Sequence, residues 1–240
     1  MAGKSRVRRL IGYVAALIAV GVLVGGGFFM IRSARRAAWR ARRINSFRQI
    51  ALALHNHHDA SKRFPPAVRT DELGRPLSSW RFLLLPFIEA MMLDWDYNAR
   101  WNDPANRWLA SSPFHAYCFS ERGDSAERLH TNVVAITGPG TAFEDDRASR
   151  IGELTSDLIM VIEIADSGIH WAEPGDLHID EVPESITSGI DGDGVCVLFV
   201  DGTVFCVSHD VPFNDLKKFF TVESAKKYDR EEVLGPYRIK

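Results

Sequence analysis

The sequence predicts an α+β fold in which a long N-terminal helix, first a transmembrane segment and then a spine, packs on an antiparallel sheet. Three observations lead there. From Leu10 to Ile31 the chain runs without a charge. No proline interrupts it before Pro65, so helix can continue from the apolar run as far as Asp59. Beyond residue 115 the helical periodicity gives way to β-branched and apolar runs separated by Gly, Pro and Asp, without the alternation of strand and helix that a parallel sheet requires.

The apolar run comes first. As a helix it spans roughly 33 Å at ~1.5 Å per residue, close to the ~30 Å of a bilayer core. It is longer than the core of a secretory signal and leads into arginines rather than a small-residue cleavage site, so a retained anchor is expected. Gly21 and Gly25, extended by Ala15 and Ala19, form a small-residue face suited to helix association. Gly25, Gly26 and Gly27 are its weak point. Arg32, Arg35, Arg36, Arg40 and Arg43 then recur at helical spacing around Trp39, a pattern that suits anionic headgroups or plain solvent.

Charge divides the chain at the same place. Of 29 basic residues ten lie in residues 1–43, which hold none of the 31 acidic ones; the remaining 19 basic and 31 acidic groups give residues 44–240 a net charge of -12. The overall -2 conceals a basic head and an acidic body. That body has the length of one domain, and its sign argues against nucleic acid as a partner. The expected organisation is a basic N-terminus at 1–9, a transmembrane helix at 10–31, a basic juxtamembrane helix at 32–43 and a soluble α+β domain at 44–240.

Within the body, Ile44, Phe47, Ile50, Ala51 and Leu54 form an apolar seam of 3.6 period that must pack on something, expected to be a sheet. Pro65 and Pro66 stop this helix. A second short helix is expected around Trp80–Met92, starting from Ser78 or Ser79 and bent at Pro86. Asn102, Asp103 and Pro104 start a turn carrying Trp108 and Leu109. Thr131–Thr137, Leu158–Ile164 and Val195–Ser208 read as strands, with a closing helix near Asn214–Phe220. Asp201-Gly202 predicts a two-residue hairpin turn in which Val200 faces Thr203. In that register Cys196 and Cys206 fall on opposite faces, so they are not expected to pair unless the turn carries a bulge. With Cys118 they make a sparse, odd set without a disulfide framework or zinc spacing.

Six blocks of this chain, Ile44–Ala67, Ser78–Glu89, Trp101–Asn106, Thr131–Phe143, His170–Leu177 and Val197–Val204, resemble a large planctomycete family of pseudopilin-like proteins. The block containing His55, Asn56, His58, Asp59, Phe64, Pro65 and Pro66 and the terminal Asp201-Gly202 hairpin carry the most specific part of the likeness. The resemblance implies a single-pass anchor in the cytoplasmic membrane, an exported C-terminal domain and a pilin-like architecture, and it does not imply a defined biochemical activity. The basic counts, four before the apolar run and six after it, alone favour a cytoplasmic C-terminus. The resemblance implies the opposite, and the periplasmic placement is the expectation adopted. Two departures stand out. The positions matching the prepilin cleavage Gly, the methylated Phe and the assembly Glu are Gly12, Tyr13 and Leu17, and the family's signature His is replaced by Asp191.

Candidate chemistry is sparse. His55, His58 and Asp59 share a helix face at i, i+3 and i+4, a spacing that can place two imidazoles and a carboxylate on one metal. Without a further ligand the favoured reading is a helix end whose polar side chains, His57 among them, bond to the following loop, and no metal is expected. Asp191 and Asp193 resemble a calcium loop but lack its third acidic position and closing Glu. Glu144, Asp145 and Asp146 read as a solvated loop. No nucleophile elbow, zinc-protease motif or phosphate loop occurs. Glu163, Glu173 and Asp176 with His170 or His178 can be assembled into an acid and base pair only as a collage. Trp80, Trp95, Trp101, Trp108 and Trp171 can line a glycan or peptide groove, although tryptophans more often pack in cores. The expectation is therefore a non-enzymatic envelope protein without cofactor, whose partners are the lipid bilayer and further copies or other envelope proteins. The alternative is an anchored solute- or glycan-binding module.

Overall fold

The structure is a computed structural model that describes residues 2–88, 95–119, 129–144, 148–190, 192 and 194–239; for 2–19, 22 and 24 it describes the backbone alone. The first helix, α1, is Ala2–Ser61. The chain divides into two compact units, Met1–Ala41 and Arg42–Lys240.

In the first unit Val20, Leu23, Phe28, Phe29, Met30 and Ile31 are all more than half exposed. Among the described residues no helix is long and apolar enough to cross a membrane. The side chains of 10–19, 22 and 24, more than half of the expected span, lie outside the described residues, and with them Gly12, Tyr13, Ala15, Leu17 and Ala19.

In the second unit α1 ends where the sequence stops it. Lys62 takes the left-handed conformation at φ 59° and its N–H donates to the His58 carbonyl at 2.6 Å, closing the last turn before Phe64-Pro65-Pro66. The inward face buries Arg43, Ser46, Phe47, Ile50, Ala51, Ala53 and Leu54, while Leu52 points outward. The expected seam is thus confirmed, with Ile44 only partly covered.

A small antiparallel hairpin follows, β1 (Val68–Thr70) with β2 (Pro76–Ser79), which sequence patterning did not reveal. Two four-residue helices, α2 (Trp80–Leu83) and α3 (Leu85–Ile88), replace the expected bent helix. Ser79 stands at the N-cap of α2 without a capping bond, because its hydroxyl is turned to the Trp171 and Ala172 carbonyls at 3.4 and 3.3 Å. The expected extension to Met92 lies outside the described residues. The turn at Asn102–Pro104 leads into α4 (Arg107–Ala110).

The main sheet contains β3 (Val133–Thr137), β4 (Ile159–Glu163), β5 (Leu177–His178), β6 (Gly194–Phe199) and β7 (Val204–Ser208), in the spatial order β5-β3-β4-β6-β7. The expectation of a purely antiparallel sheet needs correction at one edge. β5 runs parallel to β3, with Ile136 opposite Leu177, so the sheet is mixed. Every residue of β4 and β6 is buried, the signature of strands covered on both faces. Short helices close the chain: α5 (Phe213–Lys217), α6 (Val222–Ala225) and α7 (Arg230–Val233). α6 and α7 are capped by Thr221 and Asp229 side chains, each accepting from the backbone of the first turn.

The β6–β7 hairpin corrects a second expectation. Leu198 pairs with Val204 and Cys196 with Cys206. Phe199 and Thr203 close the ladder through the Phe199 N–H donating to the Thr203 carbonyl at 3.0 Å, leaving Val200, Asp201 and Gly202 as a three-residue turn. Gly202 takes φ 84°, the left-handed position of a bulged turn. The extra residue shifts every cross-strand pair by one relative to a two-residue turn. The cysteines therefore stand opposite one another, their Cα atoms 4.1 Å apart, and form a disulfide. By strand alternation both lie on the sheet face that carries Glu163, against which Arg43 of α1 is seated.

Candidate functional site

The blocks that carry the family likeness converge in two places. The first is where the end of α1 meets the β6–β7 turn. A Cβ on Gly202 would lie 3.3 Å from His55 Nε2 and 3.9 Å from the Ala51 Cβ, so both its positive φ and its lack of a side chain are used. Asp201 accepts from the Thr203 N–H at 2.9 Å and from Arg230 at 2.5 Å. Burial pushes the Asp201 carboxyl up, but the Arg230 and Thr203 bonds together hold it below its ordinary value. Arg230 also reaches Asp157 at 3.5 Å and lies over the Phe199 and Phe205 rings. The Asp-Gly signature is thus a corner joining helix, hairpin and α7.

The histidine cluster belongs to the same corner. His55 and His58 both pack on the fully buried Phe64, with ring centroids 5.9 and 5.1 Å away. The Phe64 N–H donates to the Ser149 carbonyl at 2.9 Å. His58 Nε2 receives the Ile151 N–H at 3.4 Å, and its Nδ1 is 3.8 Å from the exposed Asp59 carboxylate. Among the described residues no group of three or more His, Cys, Asp and Glu side chains is placed to hold a metal ion. His57 faces Phe87 and bonds through Nδ1 to the Arg63 carbonyl at 3.1 Å; burial lowers its pKa, against that bond. Asn56 is exposed, Pro65 buried and Pro66 partly covered.

The second convergence joins Ser78–Ile88 to His170–Leu177. Arg81, wholly buried, donates through Nε to the Trp171 carbonyl at 3.0 Å and through its other nitrogens to the Val133, Glu173 and Gly175 carbonyls and to Asp176 at 2.7 Å. Asp176 also accepts from the Trp80 indole at 3.1 Å and the Ala135 N–H at 2.7 Å. Burial raises the Asp176 carboxyl above its ordinary range, while Arg81 and these donors pull it back. The Tyr117 hydroxyl donates to the Arg81 carbonyl at 2.8 Å. Asp176 is therefore spent on pinning a loop to the sheet. Nothing in the sequence marked Arg81 as its partner except the presence of both inside the likeness blocks.

The other candidates separate. Glu163 is buried with Arg43 at 3.0 Å and accepts the Cys196 N–H at 2.8 Å. Arg43 thus belongs to the core of the second unit, a correction to its expected place among the headgroup-facing arginines. His170 stacks on Trp101 at 4.5 Å and bonds to the Ala110 carbonyl at 2.8 Å; burial lowers its pKa, against that bond and the charge of Glu173. His178 lies over Gly138, and its Nδ1 is 3.6 Å from Asp180. Trp80, Trp95 and Trp171 are core residues and Trp101 is half-buried, so only Trp108 is well exposed, at 51%. The five tryptophans do not line one groove. Cys118 is a buried free thiol that burial pushes up to about 12. Glu144 accepts the Gly140 N–H at 3.1 Å, whereas Asp145, Asp146, Asp191 and Asp193 lie outside the described residues. A Cβ on Gly21 or Gly25 would meet nothing within 4 Å.

The profile of a family described as protein of unknown function, DUF1559, matches residues 32–155, which is 124 of the 240 residues. The chain belongs to that family. The DUF1559 match takes in the first four likeness blocks, including His55–Pro66 and Arg81, and ends before Asp176 and Asp201-Gly202. Neither a curated protein nor a solved structure matches the chain.

Proposed function

We propose that this DUF1559 protein is a single-pass, pseudopilin-like envelope protein of planctomycete type, held in the cytoplasmic membrane by residues 10–31, whose non-enzymatic domain lies on the periplasmic side and serves assembly or protein contacts. The observation that carries the reading is the Cys196–Cys206 disulfide, buried between β6 and the edge strand β7. Structural disulfides persist where the surroundings are oxidising and are rare in the cytosol. Support for the anchor comes from the uncharged run Leu10–Ile31 and from the exposure of Leu23, Phe28, Phe29, Met30 and Ile31 around one helix. Gly21 and Gly25 supply a face on which the anchors of two copies can approach closely. A structural rather than catalytic body is favoured by the use made of its acidic groups, since Glu163, Asp176 and Asp201 are each engaged by an arginine.

A reporter fused after Lys240 that is active only in the periplasm is the expected result. Activity confined to the cytoplasm would overturn the placement. The second reading, a solute- or glycan-binding module, is favoured by the exposed Trp108 and by the Trp101 ring stacked on His170. Screening the detergent-purified full chain against glycans while measuring its mass separates the two. Self-association without ligand supports assembly, and a monomer that binds supports capture.

A further inference from the structure

We infer that Arg32, Arg35 and Arg36 of α1 form a binding surface for the headgroups of anionic phospholipids. The inference rests on the membrane anchor proposed above. It does not depend on which side of the membrane the domain lies, because these arginines follow the apolar run whichever leaflet receives them.

Their place along the helix matches the headgroup layer. α1 is unbroken from Ala2 to Ser61, so residues 32, 35 and 36 lie about 1.5, 6 and 7.5 Å beyond Ile31 along its axis. The polar layer on each side of a bilayer core is about 5–7 Å thick. The spacing i, i+3 and i+4 puts all three side chains on one face of the helix.

The structure leaves these side chains without another use. All three are exposed. Arg32 lies over the Phe28 ring, its Cζ 4.6 Å from the centroid, a contact that satisfies none of its N–H groups. Arg35 and Arg36 make no hydrogen bond, ion pair or ring contact with the described residues. The rest of the expected arginine stripe differs, since Arg43 is seated on Glu163 and Arg40 is partly covered.

Charge selects the class of lipid. The first acidic residue of the chain is Asp59, so α1 carries ten basic side chains up to Arg43 and no carboxylate beside them. Guanidinium binds phosphate through paired N–H bonds. A zwitterionic headgroup brings its own cation to that phosphate, whereas an anionic one leaves the charge to be met by the protein. Each basic side chain at such a surface strengthens the attraction about fivefold.

The test reconstitutes the full chain in phosphatidylcholine vesicles carrying a trace of spin-labelled phosphatidylglycerol or, separately, of spin-labelled phosphatidylcholine. Electron spin resonance reads the fraction of each probe immobilised against the protein. Phosphatidylglycerol should be held at least about threefold more strongly than phosphatidylcholine. In Arg32→Gln/Arg35→Gln/Arg36→Gln, which leaves Lys4, Arg6, Arg8 and Arg9 in place, the preference should fall to about half or less. Arg35→Gln/Arg36→Gln should lie between. Arg48→Gln, which removes an exposed arginine of the second unit, should keep the full preference. Flotation with the vesicles and far-ultraviolet circular dichroism, expected to be the same for every variant, separate a lost surface from a lost helix. Equal immobilisation of the two probes by the parent, or an undiminished preference in either multiple variant, overturns the inference and leaves the anchor standing. A parent chain that does not float and immobilises neither probe overturns the anchor and the inference with it.

Discussion

Two buried arginines hold this domain together in different ways. Arg81 uses all three of its nitrogens and meets a carboxylate that has further donors of its own. Among the described residues Arg43 uses Nη1 alone, on Glu163 and the Gly194 carbonyl, while its buried Nε and Nη2 find no hydrogen-bond partner there. A buried charge pair stabilises only when its remaining hydrogen-bonding capacity is met, since each ion has lost its hydration. The Arg81–Asp176 pair approaches that condition and organises a loop with no regular structure of its own. The Arg43–Glu163 pair falls short of it, and fixes where α1 sits on β4 at a cost in stability.

The sharpest way to break the contrast is to remove one partner of the better-satisfied pair. Asp176→Ala leaves Arg81 as an uncompensated buried charge and should cost about 3–5 kcal/mol in chemical denaturation, with loss of the near-ultraviolet signal of Trp80 and Trp171. Removing both partners of each pair is more discriminating. Arg43→Met/Glu163→Gln keeps an acceptor for the Cys196 N–H and should lie within about 1 kcal/mol of the parent, whereas Arg81→Met/Asp176→Asn should lose more than about 3 kcal/mol because the loop carbonyls lose their donors. Equal losses in the two double variants would show that hydrogen-bond satisfaction is not what separates the pairs.

The disulfide comes next. It closes a loop of sequence separation 10, for which chain entropy gives about 2–3 kcal/mol. Cys196→Ala/Cys206→Ala should melt lower by a corresponding amount and become insensitive to reductant, which a melt with and without dithiothreitol measures. Gly202→Ala adds a Cβ at positive φ against His55 and should cost about 1–2 kcal/mol by the same measurement, most of it backbone strain.

The smallest effect is a pH dependence. His57 and His170 both have pKa values lowered mainly by burial. The unfolded chain therefore binds protons that the folded one resists. Their contribution to stability is complete above the unfolded value of about 6.5 and is lost as the pH falls below it toward the folded values. A melting temperature that falls between pH 7 and pH 5, with a shallower fall in His57→Gln/His170→Gln, is expected.

Much of the architecture was legible because it depends on neighbours in sequence. The seam Phe47, Ile50, Ala51 and Leu54 repeats at the helical period, Pro65 and Pro66 forbid continuation, and the central strands are continuous apolar runs. β5 was not legible, since a two-residue strand has no pattern of its own and its pairing with β3 is made across the sheet. The hairpin register hung on a single residue. Asp201-Gly202 announces a turn, but whether two or three residues form it is decided by whether Gly202 serves as a bulge beside His55.

By itself, then, the sequence determined the helical spine, its stop, the strand segments and the division into a basic head and an acidic body, because periodicity, proline and charge act locally or sum without regard to arrangement. Tertiary structure alone decided that Arg43 is a core residue, that Asp176 pairs with Arg81 rather than with a histidine, and that Cys196 meets Cys206. Each of these rests on a contact between residues distant in the chain or on a one-residue choice of register, and no local preference encodes either.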